Sequence, residues 1–180
     1  MINLFLDAEW FPNQRIFLIG YGYENTATGS ISIHQCFYLN IELSDVLHIF
    51  RPVNGLVFVY GPDLGMLEKR FPFPFRQHFH CINFLRLLRK LEPRLPDYRL
   101  ATVEKHFGIK RQVNKYKKNM MQIYRDWFHP QLRQHVLWYN YEDVRHFIML
   151  KLIVFARHDP SSELLHTLRM KPRRQMKASP

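Results

Sequence analysis

Four acidic residues and one tyrosine have the types and spacing of a metal-dependent hydrolytic site. Asp7 and Glu9 are two residues apart at the end of a predicted first strand, so their side chains point to the same face of a sheet. Asp63 follows a buried strand, and Asp143 comes four residues after Tyr139 in a helical pattern. Like charges placed together repel one another unless a cation joins them.

Four carboxylates provide about the negative charge that two divalent cations neutralise, and hard cations such as Mg²⁺ and Mn²⁺ prefer oxygen ligands. Two such cations drive the in-line hydrolysis of phosphate esters, one by activating water and the other by stabilising the leaving oxygen. The Tyr139 phenol is placed to orient the attacking water if the helix extends back that far. This chemistry requires that the four acids converge.

The elements that must position these acids are strands in the first part of the chain. Residues 2–6, 15–21 and 31–39 are β-branched and aromatic runs separated by turn-forming segments, which predicts an antiparallel meander. Residues 56–60 form a continuous apolar run, typical of a strand buried on both faces near the centre of a sheet. If this fourth strand neighbours the first, the first three acids come together.

Most of the remaining chain has a helical pattern. The predicted helices cover residues 45–50 after an N-cap at Ser44, 64–70, a segment around Leu85 and Leu88, 100–107, 113–128 and 141–157. Asp143 would therefore begin the last helix. Strands followed by helices indicate an α/β or α+β layout with a single sheet. Residues 1–170 are expected to form one domain, and residues 171–180 a basic, disordered tail.

The composition excludes several classes of protein. The 180 residues are 47% apolar and 15% aromatic, which excludes disorder for the bulk of the chain. No apolar stretch is long enough to span a membrane, and the N-terminus has an acid at position 7 and no basic residues, unlike a signal peptide. Two cysteines cannot build a disulfide framework. We therefore expect a cytoplasmic protein with no membrane partner.

The net charge of +11 is concentrated in the C-terminal part of the chain. Residues 101–180 hold 16 of the 26 basic residues but only 6 of the 15 acidic ones. A one-sided basic field attracts polyanions, most commonly nucleic acid. The residues predicted to contact phosphates are Lys110, Arg111, Lys115, Lys117 and Lys118.

Simpler interpretations exist for each of these residues. Asp7 and Glu9 are also compatible with a solvated strand end, and Asp63 with a helix N-cap. Asp143 also suits the first turn of a helix, and Tyr139 an ordinary half-buried position. The ten histidines and two cysteines raise the possibility of zinc, but they match no standard zinc spacing. A basic surface without a nucleic-acid partner also remains open.

The order of these motifs resembles that of the DEDD exonucleases in their tyrosine variant. An Asp-x-Glu pair on a first strand, an Asp after a buried strand and a C-terminal Tyr-x-x-x-Asp follow one another, and Trp138 stands where the histidine variant has its histidine. The surroundings resemble the YprB-type ribonuclease-H-like branch over roughly residues 2–157. The matching segments are residues 5–9, 16–20, 97–100, 103–111 and 137–144.

This resemblance implies a ribonuclease-H-like α/β fold, with a central mixed sheet that is antiparallel over its first three strands and then parallel, flanked by helices. It implies that Tyr139 orients the nucleophilic water and that the four acids are the metal ligands. These ligands are Asp7, Glu9, Asp63 and Asp143. The implied activity is 3′–5′ exonuclease cleavage of DNA or RNA, preferably at single-stranded ends, with two Mg²⁺ or Mn²⁺ ions.

Three other functions are compatible with the same residues. The first is a non-catalytic nucleic-acid-binding module on the same fold, and the second is a structure-selective endonuclease. The third is an interaction domain whose basic half binds an acidic protein.

Overall fold

In the computed structural model, which describes residues 1–38, 40–113, 116 and 120–171, strands precede most of the helices. The strands within these residues are β1 (Ile2–Trp10), β2 (Ile16–Asn25), β3 (Ile31–Phe37), β4 (Leu56–Val59) and β5 (His80–Asn83). The helices within them are α1 (Leu43–Phe50), α2 (Asp63–Arg70), α3 (Phe75–His78), α4 (Phe84–Leu91), α5 (Leu100–His106), α6 (Met120–Phe128), α7 (Pro130–His158) and α8 (Ser162–Thr167).

The five strands form one mixed sheet in the order β3-β2-β1-β4-β5. β1 and β3 both pair with β2 in the antiparallel sense, whereas β4 pairs in parallel with β1 and with β5. The α/β class and the mixed sheet are therefore confirmed, as is the pairing of the fourth strand with the first. The apolar β4 lies between β1 and β5, next to the middle strand β1, and three of its four residues are fully buried.

The two faces of the sheet pack against different helices. On β1, Leu4 and Leu6 pack in the cluster that includes α1 and α2, whereas Phe5 packs in the cluster that includes α5 and α7. Because side chains alternate along a strand, Asp7 and Glu9 continue the face of Phe5. The face that carries the acids is therefore the one that α7 covers.

The first strand is longer than the sequence suggested. It runs to Trp10, with an irregularity of register between Glu9 and Trp10, so Asp7 and Glu9 lie within β1 and not beyond it. The sequence analysis missed β5, since a four-residue strand is too short to show an alternating pattern. It also placed an N-cap at Ser44, whereas Glu42 precedes α1 and donates its backbone N–H to Asp45 (2.9 Å).

Helix α7 begins eleven residues earlier than predicted, at Pro130 instead of residue 141. Proline is well placed there because the first residue of a helix needs no N–H donor. Asp143 consequently lies in the middle of a 29-residue helix, and its interpretation as a first-turn acid is wrong. Despite this length, α7 is too polar to cross a membrane, and no other helix in the described part of the chain is long and apolar enough to do so.

Two further predictions concern the helix before α7 and the C-terminal tail. Of the helix predicted over residues 113–128, the described helical part is α6, from Met120 to Phe128. Of the tail predicted for residues 171–180, residues 172–180 lie outside the described residues.

A buried ion pair joins α7 to the sheet. Lys151 Nζ donates to both oxygens of Glu24 on β2, at 2.6 and 2.8 Å. Asn3 on β1 donates its side-chain amide to Glu24 as well (2.9 Å). Close approach of α7 also depends on Gly22, because a methyl group there would lie 2.6 Å from Ile148 Cδ1. These contacts fix the position of α7 across the sheet face that carries the acids.

We predict that Lys151→Met lowers the free energy of unfolding by about 3 kcal/mol, because it leaves Glu24 buried without its cation. The double variant Glu24→Gln/Lys151→Met should lose less than Lys151→Met alone, since it removes both charges. Urea denaturation of the single and double variants measures both effects. Equal losses for the single and double variants would show that the pairing of charge is not what stabilises this contact.

Candidate active site

Three acids from two elements converge at one end of β1. Carboxylate oxygens of Asp7 and Glu9, from β1, and of Asp143, from α7, lie within 4.8 Å of one another. Asp63 opens α2 just after β4, and the parallel pairing of β4 with β1 brings it to the same place. A pocket of about 660 Å³ is lined by all four acids and by Tyr139.

Asp63 is the one predicted ligand that the close cluster does not include. Its side chain is 3% exposed, and its Oδ2 atom has no hydrogen-bond partner among the residues that the structure describes. A hydrogen bond with the backbone of Ala8 holds the carboxylate beside β1. The N-cap position of α2 belongs to Pro62, so Asp63 is the first residue of the helix and not its cap.

A relay of side-chain amides holds Asp7. Asn140 on α7 donates from Nδ2 to Asp7 Oδ2 (2.7 Å), and Gln35 on β3 donates to Asn140 Oδ1 (2.9 Å). Gly20 lies opposite Asp7 in the register of β1 and β2, and a methyl group at Gly20 would overlap the Asn140 amide. The relay occupies one oxygen of Asp7 and leaves Oδ1 for another partner.

A buried arginine holds Asp143 in a similar way. Arg111, whose side chain is 3% exposed, forms ion pairs through Nη2 with Asp143 Oδ1 and with Glu104, to which it also donates from Nε (2.9 Å). His146 on α7 lies 3.1 Å from Glu104 through Nδ1. Arg111 was predicted as a phosphate contact, but the fold turns its guanidinium inward to the acids.

The segment that carries Arg111 is itself fastened to α7. Glu142 accepts hydrogen bonds from the backbone N–H groups of Gln112 (2.9 Å) and Val113 (2.8 Å). Glu142 is 1% exposed, and it was not among the predicted site residues. Its two bonds fix the backbone next to Arg111, so the guanidinium meets Asp143 in one orientation.

Tyr139 lies one helical turn before Asp143, as its spacing predicted. The Arg111 guanidinium lies over its ring at 5.1 Å from the centroid, and the ring of Tyr116 packs against its edge (5.3 Å between centroids). Burial raises the pKa of the Tyr139 phenol, and the charge of Asp143 raises it further. The phenol therefore keeps its proton at neutral pH and remains a hydrogen-bond donor.

The acids are costly to ionise in the absence of a cation. Burial raises the pKa of Asp7 to about 7, and repulsion from Asp63 adds to this effect. Burial is also the main reason why the pKa of Asp63 and that of Asp143 are raised to about 8. Burial, together with the charges of Asp7 and Asp143, raises the pKa of Glu9 well above its ordinary value. A divalent cation would remove this penalty.

The donor set fits a hard divalent cation. All four side chains offer carboxylate oxygens, which Mg²⁺ and Mn²⁺ prefer, and the unpartnered Oδ2 of Asp63 supplies a free ligand atom. Cys36 and Cys81 are free thiols, and neither belongs to the one group of candidate metal ligands within the described ranges. The site therefore favours an oxygen-bound cation over zinc.

The predicted phosphate contacts are only partly described. Lys110 is exposed, whereas Lys115, Lys117 and Lys118 lie outside the described residues. The pocket also has two basic residues that were not predicted as site residues, Arg99 just before α5 and Lys105 within it. Arg99 and Lys105 are distant from the acids in sequence, so no local pattern indicates that they line the same pocket.

Comparison with known proteins gives one family match. The family model RNase_H_2, of the RNase_H superfamily, matches residues 4–154. This range contains all four acids, from Asp7 to Asp143. None of the curated proteins matches the chain.

We predict that Mn²⁺ or Mg²⁺ raises the melting temperature, because a cation that binds only the folded chain stabilises it by about 2.7 kcal/mol at one hundred times its dissociation constant. Glu9→Gln should abolish most of this shift by removing one ligand of the cluster. Asp159→Asn, which removes an exposed carboxylate after α7, is the matched control and should keep the shift. Differential scanning fluorimetry measures all three proteins; equal shifts for both variants would contradict a cation site at the cluster.

We also predict that, in a chelator, the free energy of unfolding falls as the pH rises from about 5 to about 8. An unfolded chain ionises its carboxyls near pH 4, whereas the folded protein retains protons on Asp7, Asp63 and Asp143 up to about pH 7 to 8. The folded state binds more protons in this window, so raising the pH favours unfolding. Urea denaturation at several pH values measures the fall.

In the same experiment, Asp63→Asn should make the fall with pH shallower, because one ionisable carboxyl is gone. Asp159→Asn should leave it unchanged. A free energy of unfolding that stays level or rises between pH 5 and pH 8 would contradict the raised pKa values.

Proposed function

Because the chain belongs to the RNase H superfamily, we propose that it is a metal-dependent nuclease that hydrolyses phosphodiester bonds in DNA or RNA. The observation that carries the proposal is the buried acid cluster. Three carboxylates from β1 and α7 lie within 4.8 Å of one another, and a fourth, Asp63, lines the same pocket with an unpartnered oxygen. Neighbouring carboxylates repel one another when they are ionised, and a bound cation would remove that repulsion.

Two Mg²⁺ or Mn²⁺ ions are the proposed cofactors, and the four acids are their proposed ligands. These ligands are Asp7, Glu9, Asp63 and Asp143. When bound, the cations supply a water of lowered pKa and stabilise the charge that develops on the leaving oxygen. The charge of Arg111 does not compete for this role, since Glu104 offsets it and leaves four carboxylates for two divalent ions.

The protein's own residues orient the reacting groups. Asn140 holds one oxygen of Asp7, and Arg111 holds one oxygen of Asp143. Each contact fixes the direction in which the other oxygen of that carboxylate points. To the protonated Tyr139 phenol we assign the role of holding the attacking water by hydrogen bonding. Such preorganisation lowers the barrier because the groups need no rearrangement as the reaction proceeds.

The finer assignment is a 3′–5′ exonuclease that favours single-stranded ends, as in the tyrosine variant of the DEDD enzymes and the YprB-type branch. The presence of Tyr139 in the acid pocket, one turn before Asp143, supports this variant. For phosphate contact we propose the exposed Lys110. We propose the same role for Lys115, Lys117 and Lys118, which lie outside the described residues. Arg111 is assigned instead to the positioning of Asp143, because its side chain is buried.

The remaining proposals concern the chain as a whole. We propose that residues 1–170 form one nuclease domain and residues 171–180 a basic tail. A cytoplasmic location is consistent with two cysteines that form no disulfide with each other, and we retain it as a proposal.

We predict that the protein shortens a 5′-labelled single strand from its 3′ end in Mn²⁺ or Mg²⁺, and that a chelator stops it. Oligonucleotides of one sequence, as DNA and as RNA, are followed on a denaturing gel. Asp7→Asn should lower the rate at least about a hundredfold, because it removes a proposed cation ligand. Tyr139→Phe should lower the rate by about 10²–10³ while leaving cation binding intact, since it removes only the phenolic O–H.

Asp159→Asn is the control for these variants and should cleave like the wild type. A circular strand, which has no ends, distinguishes the possible cleavage modes, since its cleavage would identify an endonuclease. Binding of both oligonucleotides without cleavage in any metal would identify a non-catalytic binding module and would overturn the proposed activity.

A further inference from the structure

The pocket that holds the acids has a second wall of opposite charge. Arg99, just before α5, and Thr102 and Lys105, within it, line the same pocket of about 660 Å³ as the four acids. We call these three residues the α5 rim. The lining of this pocket also includes the apolar side chains of Trp10 and Leu100.

The rim is built around Asp97, which orders it. Asp97 accepts hydrogen bonds from the Arg99 backbone N–H (2.9 Å), from Arg99 Nη2 (2.8 Å) and from Arg99 Nε (3.3 Å). The Thr102 side chain also bonds to Asp97. These bonds set the direction of the guanidinium and do not use its Nη1 atom. The Arg99 side chain is nevertheless 79% exposed, so a ligand can reach it.

The four acids and the α5 rim carry opposite charges, so they suit different parts of a nucleic acid. Cations on the acid wall would meet the phosphate that is cleaved, as the proposed function requires. The rim belongs to the lining of the same pocket, and it adds Lys105, an exposed ammonium, to Arg99. Fixed guanidinium and ammonium groups bind phosphate oxygens, and the guanidinium can do so with two parallel bonds. A substrate with one phosphate would leave the rim without an anion.

We propose that the α5 rim binds the phosphates next to the scissile one, which makes Arg99, Thr102 and Lys105 substrate-binding residues in addition to the acids. The proposal rests on the proposed nuclease function and adds to it a second contact surface within the pocket. Arg99 and Lys105 supply the charge, and Asp97 positions Arg99. Thr102 supplies a hydroxyl at the same surface.

The salt dependence of binding tests this directly. A fluorescein-labelled ten-residue oligothymidylate is titrated in Mg²⁺ with the Asp7→Asn protein, and the dissociation constant is measured by anisotropy at several salt concentrations. Each phosphate contact contributes about 0.7 to the slope of log K against log salt for a single strand. Adding Arg99→Gln and Lys105→Gln should lower this slope by about 1.4 and weaken binding at low salt.

The matched control is Arg86→Gln with Lys90→Gln, which removes one arginine and one lysine from the exposed face of α4, outside the pocket. It should leave the slope almost unchanged. Equal slopes for the rim variant and this control would show that the rim charges act only through the net charge of the protein. Absence of measurable strand binding by the Asp7→Asn protein at low salt would also overturn the proposal.

A second readout separates the rim from the chemistry. With the Asp7 carboxylate restored, the rim variant should lose kcat/KM on the oligothymidylate but keep that on thymidine 5′-monophosphate p-nitrophenyl ester, which carries one phosphate. An equal loss on both substrates would contradict a role for the rim in binding neighbouring phosphates. If neither substrate is cleaved by any variant while the rim substitutions still lower the binding slope, the nuclease proposal fails and the rim stands as a strand-binding surface.

Discussion

The repulsion between buried carboxylates is the constraint on which the rest of this structure depends. Asp7, Glu9 and Asp143 lie too close together, and too far from water, to be ionised at little cost. The fold offsets part of this cost with donors placed around the cluster: the Asn140 amide beside Asp7 and the Arg111 guanidinium beside Asp143. These two donors do not satisfy all the carboxylate oxygens of the cluster. The oxygens that remain are the basis of the cation site that we propose.

Helix α7 carries most of this arrangement. Three nearby residues of the helix contact different parts of the molecule. Asn140 bonds to side chains of β1 and β3, Glu142 accepts from the backbone after α5, and Asp143 belongs to the acid cluster. The helix can do this only because it lies close on the sheet, where Gly20 leaves room for Asn140. At its other end the Lys151 pair with Glu24 fixes its position, so packing and electrostatics act together on one element.

Several features of the fold and the site could be predicted from local patterns. The continuous apolar run of β4 indicated a central strand, and its pairing with β1 followed from that position. The period of a strand placed Asp7 and Glu9 on one face, and the period of a helix placed Tyr139 beside Asp143. The start of α7 could not be predicted in this way, since Leu132 is the only apolar residue after Pro130 in the first six residues of the helix, PQLRQH. β5 was too short for its pattern to be recognised.

The sequence by itself determined which side chains were available and how each stands on its own strand or helix, because period and propensity are local properties. It did not determine which of the charged residues would be buried. Arg111 lies in a run of basic residues that reads as a phosphate-binding surface, yet it is turned inward because Glu104 and Asp143 meet it there. Arg99 and Lys105 show no link to the acids along the chain, yet they line the same pocket. Only the tertiary structure decides such contacts, since the burial and the pairing of a charge depend on residues that are distant in sequence.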